Sequence, residues 1–218
     1  MELDHVFVMC DVGAPEAAAL HALGLREGSS NAHPGQGTAC RRFFFGNAYL
    51  ELMWVANADQ AQAPAAAPTR FWDRWSQRRR GASPFGLVLR GGPNAADTVP
   101  AWPTWTYRPA WLSKEQSIEF ARDTRLEEPE IIALPFLRER VGAGVEPVDH
   151  DFLLTDITAV RCGLGDAARL SPALRSLQDL GIVTFESARE PTLRLGFAGG
   201  DEGKTMDLWP TLPLVLEW

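Results

Sequence analysis

The chain has few cysteines, and the three present, Cys10, Cys40 and Cys162, form no Cys-x-x-Cys pair. An odd count without that spacing excludes a disulfide framework and a zinc knuckle, and it fits buried thiols in a reducing cytoplasm. Basic residues are also in deficit: 21 Lys and Arg against 28 Asp and Glu leave a formal charge of -7. That balance argues against nucleic acid and against an anionic membrane as partners. The one basic run, Arg78-Arg79-Arg80, reads as the last turn of a helix, where cations suit the negative end of the dipole. No apolar run reaches the length of a membrane span, and the acidic opening at Glu2 and Asp4 does not read as a signal peptide. No glycine-rich stretch continues into Gly-Lys-Ser/Thr, so no nucleotide cofactor is expected. No Ser-His-Asp order and no activated cysteine suggest a hydrolase.

What is present begins with an apolar content of 45% over 218 residues, enough for a real core in one domain or in fused small modules. Two apolar strands stand out, each with a costly polar residue on an otherwise apolar face. The first, over 3–9, carries His5, and alternation places His5 on one face with Leu3, Phe7 and Met9. The second, over 49–55, carries Glu51 on one face with Tyr49 and Met53. An imidazole and a carboxylate in such strands need a partner, a hydrogen bond or a metal. For Glu51, an ion pair with Arg41 or Arg42 on a neighbouring strand is the structural alternative.

Pro15 opens a helix that Gly24 closes. A loop with Pro34, Gly35 and Gly37 precedes a strand over 38–45, and Gly46-Asn47 supplies the turn into 49–55. The order is β-α-(β)-β-β over 1–56. Residues 57–68 read as an Ala/Gln/Pro linker. A helix capped by Thr69 runs to Arg80, so 57–83 is linker and helix. Strands follow over 85–89 and 131–138. Towards the end, Pro172, Leu177, Leu180 and Gly181 repeat the spacing of Pro15, Leu20, Leu23 and Gly24, so 84–218 is expected to hold a further βαβββ-like unit at about 153–218. The apolar segment 212–216 reads as a strand packed within the subunit or across a homodimer. His150, between Asp149 and Asp151, reads as a solvated loop residue.

A βαβββ unit with His on its first strand and Glu on its last resembles the vicinal oxygen chelate superfamily. More closely, Leu3-Asp4-His5, His33-Pro34-Gly35-Gln36-Gly37-Thr38, Tyr49-Leu50-Glu51-Leu52 and the later Leu134-Pro135-Phe136-Leu137 resemble its glyoxalase-like domain branch. The resemblance implies an α+β fold, with tandem βαβββ modules whose curled mixed sheets enclose a U-shaped cavity. It also implies a divalent metal (Mn, Fe, Co, Ni or Zn) on His5, Glu51 and Glu139, with Glu51 or Glu139 as the base. Asp207 is the alternative to Glu139, from the terminal unit. His33, Gly37, Thr38 and Tyr49 would contact a small-molecule ligand, and Gly35 and Gly37 would let backbone N–H groups approach it. The strand over 85–89 has no His, where metal-dependent relatives usually carry one. The activities implied are a lyase or isomerase acting on vicinal oxygens, or an extradiol-type dioxygenase. A metal-free cup that sequesters a small molecule, as in drug-binding relatives such as bleomycin-resistance proteins, is the other reading.

Overall fold

The computed structural model describes residues 1–92, 100–199 and 203–218. Thirteen strands and four helices are present among the described residues. The strands form two sheets, one of eight and one of five.

The eight-stranded sheet is two copies of one pattern joined edge to edge. β1 (Glu2–Met9) pairs parallel with β4 (Tyr49–Val55). β4 then pairs antiparallel with β3 (Thr38–Phe44), and β3 with β2 (Asn31–His33). In the second copy β5 (Phe85–Arg90) pairs parallel with β8 (Glu130–Leu134). β8 continues antiparallel to β7 (Ile118–Ala121), and β7 to β6 (Thr104–Tyr107). The copies meet where β1 and β5 run antiparallel. The sheet order is therefore β2-β3-β4-β1-β5-β8-β7-β6, with the site-bearing strands β1 and β4 near its centre.

In the first copy, α1 (Ala17–Ala22) crosses from β1 and buries Ala17 and Leu20. It ends as expected at Gly24, whose φ of 74° is the left-handed cap. Residues 57–68, expected to be a linker, instead hold α2 (Ala58–Gln62), because the Asn57 side chain accepts from the Gln60 N–H and caps it. The next helix, α3 (Phe71–Gln77), is shorter at both ends than the expected 69–80. Thr69 sits in a preceding 3-10 turn, and Arg70 adopts φ 57° between the two. Arg78 and Arg79 lie just past α3 and both pair with Asp11. β8 stops at Leu134, before Pro135, rather than running to 138.

The five-stranded sheet belongs to the terminal segment. β9 (Ile157–Leu164) leads to α4 (Pro172–Asp179), then β10 (Thr184–Ser187) and β11 (Thr192–Phe197). β12 (Thr205–Asp207) and β13 (Leu214–Glu217) follow. The helix punctuation matches the opening: Pro172 starts α4, and Gly181 has φ 70° after it. The pairing does not match. β10 lies directly against β9, and the order is β10-β9-β11-β13-β12. β13 sits between β11 and β12, so the terminal apolar strand is packed inside the chain.

The main core lies between the two sheets. Val6, Val8, Leu50, Leu52, Leu87 and Leu89 point from the large sheet toward Cys162, Leu174, Leu177, Leu193, Leu195 and Leu214. A second apolar cluster lies on the opposite face of the large sheet and includes Phe7, Met53, Phe71, Val88, Phe120 and Ile132. Alternation along β1 and β4 thus sends Val6 and Leu50 to the core and Phe7 and Met53 to the cavity. His150 is buried rather than solvated: it accepts from the Arg26 N–H at 3.0 Å, and its Nε2 lies 2.6 Å from the Phe44 carbonyl oxygen.

Candidate functional site

A cavity of about 210 Å³ opens on the second-cluster face of the large sheet. Its polar wall comes from the first copy: His5, Asn31, His33, Gln36, Arg42, Tyr49 and Glu51. Its apolar wall is mostly the second copy and the turn after it, including Val88, Ile118, Phe120, Ile132 and Leu134.

His5 and Glu51 face each other, with Nε2 and Oε2 3.4 Å apart and both residues buried. On its other side the His5 ring bonds Asp4, Nδ1 to Oδ2 at 2.8 Å. Neighbours on a regular strand point to opposite faces, so Asp4 is not a partner that alternation would suggest. The β1–β5 register shifts between Leu3 and His5, and this irregularity brings Asp4 round to His5. The same shift leaves Leu3 packed against the main core instead of beside His5. Asp4 is fully buried, its second oxygen has no hydrogen-bond partner, and Arg90 Nη1 lies 3.8 Å from it.

Burial alone would lower the His5 pKa. Hydrogen bonds and charge from Asp4 and Glu51 outweigh it and raise the value to about 9. Burial would raise Glu51, but the His5 contact, the nearby imidazoles and the Cys40 thiol bring it to about 2. At neutral pH the pair is imidazolium and carboxylate. Tyr49 stacks on the His5 ring at 4.2 Å between centroids, and burial pushes its phenol well up. Arg42, directly across from Glu51 in the β3–β4 register, does not bond it. Arg42 turns to Ser29, with Nε donating to the carbonyl at 2.8 Å and Nη2 to the hydroxyl at 2.5 Å. Arg41 pairs with Glu27.

The loop 33–38 is a tight hairpin. His33 reaches the rim, its Nδ1 2.9 Å from Thr38 Oγ1, with the Trp111 ring 5.3 Å away; burial lowers its pKa. Gly37 and Thr38 lie behind the rim rather than in the cavity lining. The Gly35 N–H donates to Gln60 and the Gly37 N–H to the His33 carbonyl, so neither turns to the cavity. Gly37 also takes φ 77° with α2 close against it, where a Cβ would lie 2.4 Å from the Asn57 oxygen.

Glu139 is exposed, beyond the end of β8, and does not line the cavity. Asp207 is exposed in the other sheet, where it accepts from the Trp209 N–H. The residues related to the polar pair by the internal repeat can be read from the registers. Val88 lies opposite His5 across β1–β5. Tyr49 is the parallel partner of His5, and Glu51 stands two residues on. Ile132 is likewise the partner of Val88, and Leu134 stands two residues on. Apolar side chains thus occupy the two places from which a second pair of donors would come. No group of three or more His, Cys, Asp or Glu is arranged to hold a metal ion among the described residues. One imidazole and one carboxylate are too few donors for a divalent metal site.

Asp4, Asn31, Gln36 and Arg42 escape a reading by strand alternation, because a register shift, a hairpin and a cross-strand neighbour bring them in. No helix among the described residues is long and apolar enough to cross a membrane.

A sequence profile described as a glyoxalase-like domain matches residues 3–128. No curated protein matches the chain. Among solved structures, a hypothetical protein from Staphylococcus aureus is similar over 99% of this chain and 98% of its own, with a TM-score of 0.52 at 10% identity. A methylmalonyl-CoA epimerase bound to methylmalonyl-CoA and NH4+ covers 63% of this chain and 97% of its own, with a TM-score of 0.42 at 13% identity. A Streptomyces coelicolor methylmalonyl-CoA epimerase covers 67% and 98%, with a TM-score of 0.41 at 14% identity. The profile spans more than half of the chain, and the chain belongs to the glyoxalase-like domain family.

Proposed function

We propose that this protein binds a small organic molecule in the cup of the large sheet without a divalent metal. One observation carries the reading: Val88 and Leu134 stand where the internal repeat would place the counterparts of His5 and Glu51. A metal-dependent lyase or isomerase, or an extradiol-type dioxygenase, needs a fuller donor set than one His and one carboxylate. The apolar wall with a few convergent polar groups is what a small-molecule pocket requires.

The test is ligand-observed NMR with a library of small aromatic and alicyclic compounds on metal-free protein. Binding by the parent, abolished in Ile132→Trp, supports the reading. No binding, or binding that survives a filled cavity, refutes it.

A second reading has its own support. The cavity holds an acid and a base side by side, with pKa values driven in opposite directions, and such a pair can move a proton on a bound carbonyl compound. Glu51 would accept the proton and His5 would donate one, giving a metal-free isomerase. Uptake of solvent deuterium into a bound ligand, lost in Glu51→Gln, is the result it requires. Both values lie far from neutral, where acid–base catalysis is least efficient, so binding is the first proposal.

A further inference from the structure

We infer that the cavity selects a small molecule with one carboxylate on an apolar body, and that Arg42 receives the carboxylate. The inference rests on the binding reading above and adds the ligand's chemical class.

The argument is a balance of charge along the lining. Four side chains in the cavity wall can carry charge: His5, His33, Arg42 and Glu51. Glu51 and His5 are matched to each other. Burial favours neutral His33. Behind His5, Asp4 faces Arg90. Arg42 is left with no carboxylate within ion-pairing distance among the described residues. Its hydrogen bonds go to the carbonyl and the hydroxyl of Ser29 and occupy Nε and Nη2; Glu146 lies on the far side of Ser29, accepting from its N–H and hydroxyl, and reaches Arg42 only through it. Nη1 is uncommitted among the described residues. The guanidinium is also fixed in place, with Cζ 5.1 Å from the Phe44 ring centroid and 5.9 Å from that of Tyr49.

A guanidinium held from behind, beside an apolar wall, suits a planar carboxylate. Arg42 is the one cation of the lining with no direct ion pair among the described residues, which sets the ligand's charge at one. A phosphate dianion would bring a second negative charge toward Glu51, inside the same cavity. The ligand's body would lie against Val88, Ile118, Phe120, Ile132 and Leu134, which offer no polar side-chain group.

The experiment compares two acids with their neutral amides by isothermal titration calorimetry at pH 7. The probes are phenylacetate and cyclohexanecarboxylate against phenylacetamide and cyclohexanecarboxamide. The proteins are the parent, Arg42→Gln and Arg42→Lys. The parent is expected to bind each acid about tenfold more tightly than its amide, the scale of one charge-assisted hydrogen bond. Arg42→Gln is expected to lose that preference, binding acid and amide alike, and Arg42→Lys to retain part of it. Circular dichroism matching the parent's shows that the variants are folded. Amides binding as tightly as acids, or an acid preference that survives Arg42→Gln, overturns the inference and leaves the binding reading standing. Binding by no member of either series overturns both.

Discussion

Replacing Glu51 by Gln keeps the shape of the side chain and removes its charge, so it isolates what holds the His5 proton. His5 rises from 6.5 to about 9 although burial works against it. At 1.36 kcal/mol per pH unit, that rise corresponds to about 3 kcal/mol in favour of the protonated ring. Across 3.4 Å, with an effective dielectric constant of about 20, the attraction between Glu51 and the imidazolium is about 5 kcal/mol. The attraction exceeds the net rise because it also offsets the burial penalty, while Asp4 supplies the remaining stabilisation. Removing Glu51 therefore takes away at least the whole rise, and the His5 pKa in Glu51→Gln should return to 6.5 or below. The ring escapes by shedding its proton, so the stability lost at neutral pH is limited to about 3 kcal/mol. The direction with pH follows from the same values. A raised histidine stabilises the fold fully below 6.5 and loses that contribution as pH climbs through about 9. Glu51, lowered from 4.5 to about 2, contributes above 4.5 and loses its contribution as pH falls through about 2. The gap between parent and variant should be widest between 4.5 and 6.5 and close toward 9. Long-range nitrogen–proton NMR of the histidine rings gives the titration, and urea unfolding across pH gives the gap. A His5 that still titrates near 9 in Glu51→Gln would refute the pairing argument.

Three further outcomes are expected. Gly86→Ala would place a Cβ 1.9 Å from the Phe7 ring; overpacking should cost about 1–3 kcal/mol in urea unfolding, and ligand affinity should fall because Phe7 lines the cavity. Arg74→Met removes a fully buried guanidinium that donates to the Ser83 and Glu128 carbonyls and to Glu130; stranding those groups should cost about 3–5 kcal/mol and lower Tm by roughly 10 °C in calorimetry, and a change of only a degree or two would contradict it. Val88→His with Leu134→Glu supplies the two missing donors opposite His5 and Glu51, so the double variant should bind Mn²⁺ or Zn²⁺ in titration calorimetry; no binding would show that the cavity geometry, and not only its composition, is unsuited to a metal.

The sequence carried the first copy of the repeat well. His5 and Glu51 could be found because each interrupts an otherwise apolar strand face, and a polar group there needs an explanation. Alternation gave the face each of them shares, and the family resemblance implied the cavity between them. Asp4 could not be found that way, since a one-residue register shift overrides alternation and leaves no local signal. The second copy was harder to see because it has no polar landmark: Val88, Ile132 and Leu134 look like any buried strand. With no carboxylate on that copy's strands facing the cavity, Glu139 is the nearest one the sequence offers after Leu134, and it lies past the strand that Pro135 ends. The matching Pro and Gly punctuation of α1 and α4 was real, yet punctuation fixes helix ends and not strand pairing. The terminal segment could therefore share it and still build a different sheet. Asn57 is a cap that composition hid, since the surrounding Ala, Gln and Pro residues read as linker.

The central claim is that this cup works without a metal, and the most direct test is the metal content of the untagged protein. Protein purified without chelator should contain far less than one equivalent of any divalent ion by plasma mass spectrometry. It should take up none after incubation with Mn²⁺, Fe²⁺, Co²⁺, Ni²⁺ or Zn²⁺ and gel filtration, and His5→Ala and Glu51→Ala should be no different. One tightly held equivalent in the parent, lost in both variants, would contradict the account and return His5 and Glu51 to the role of ligands.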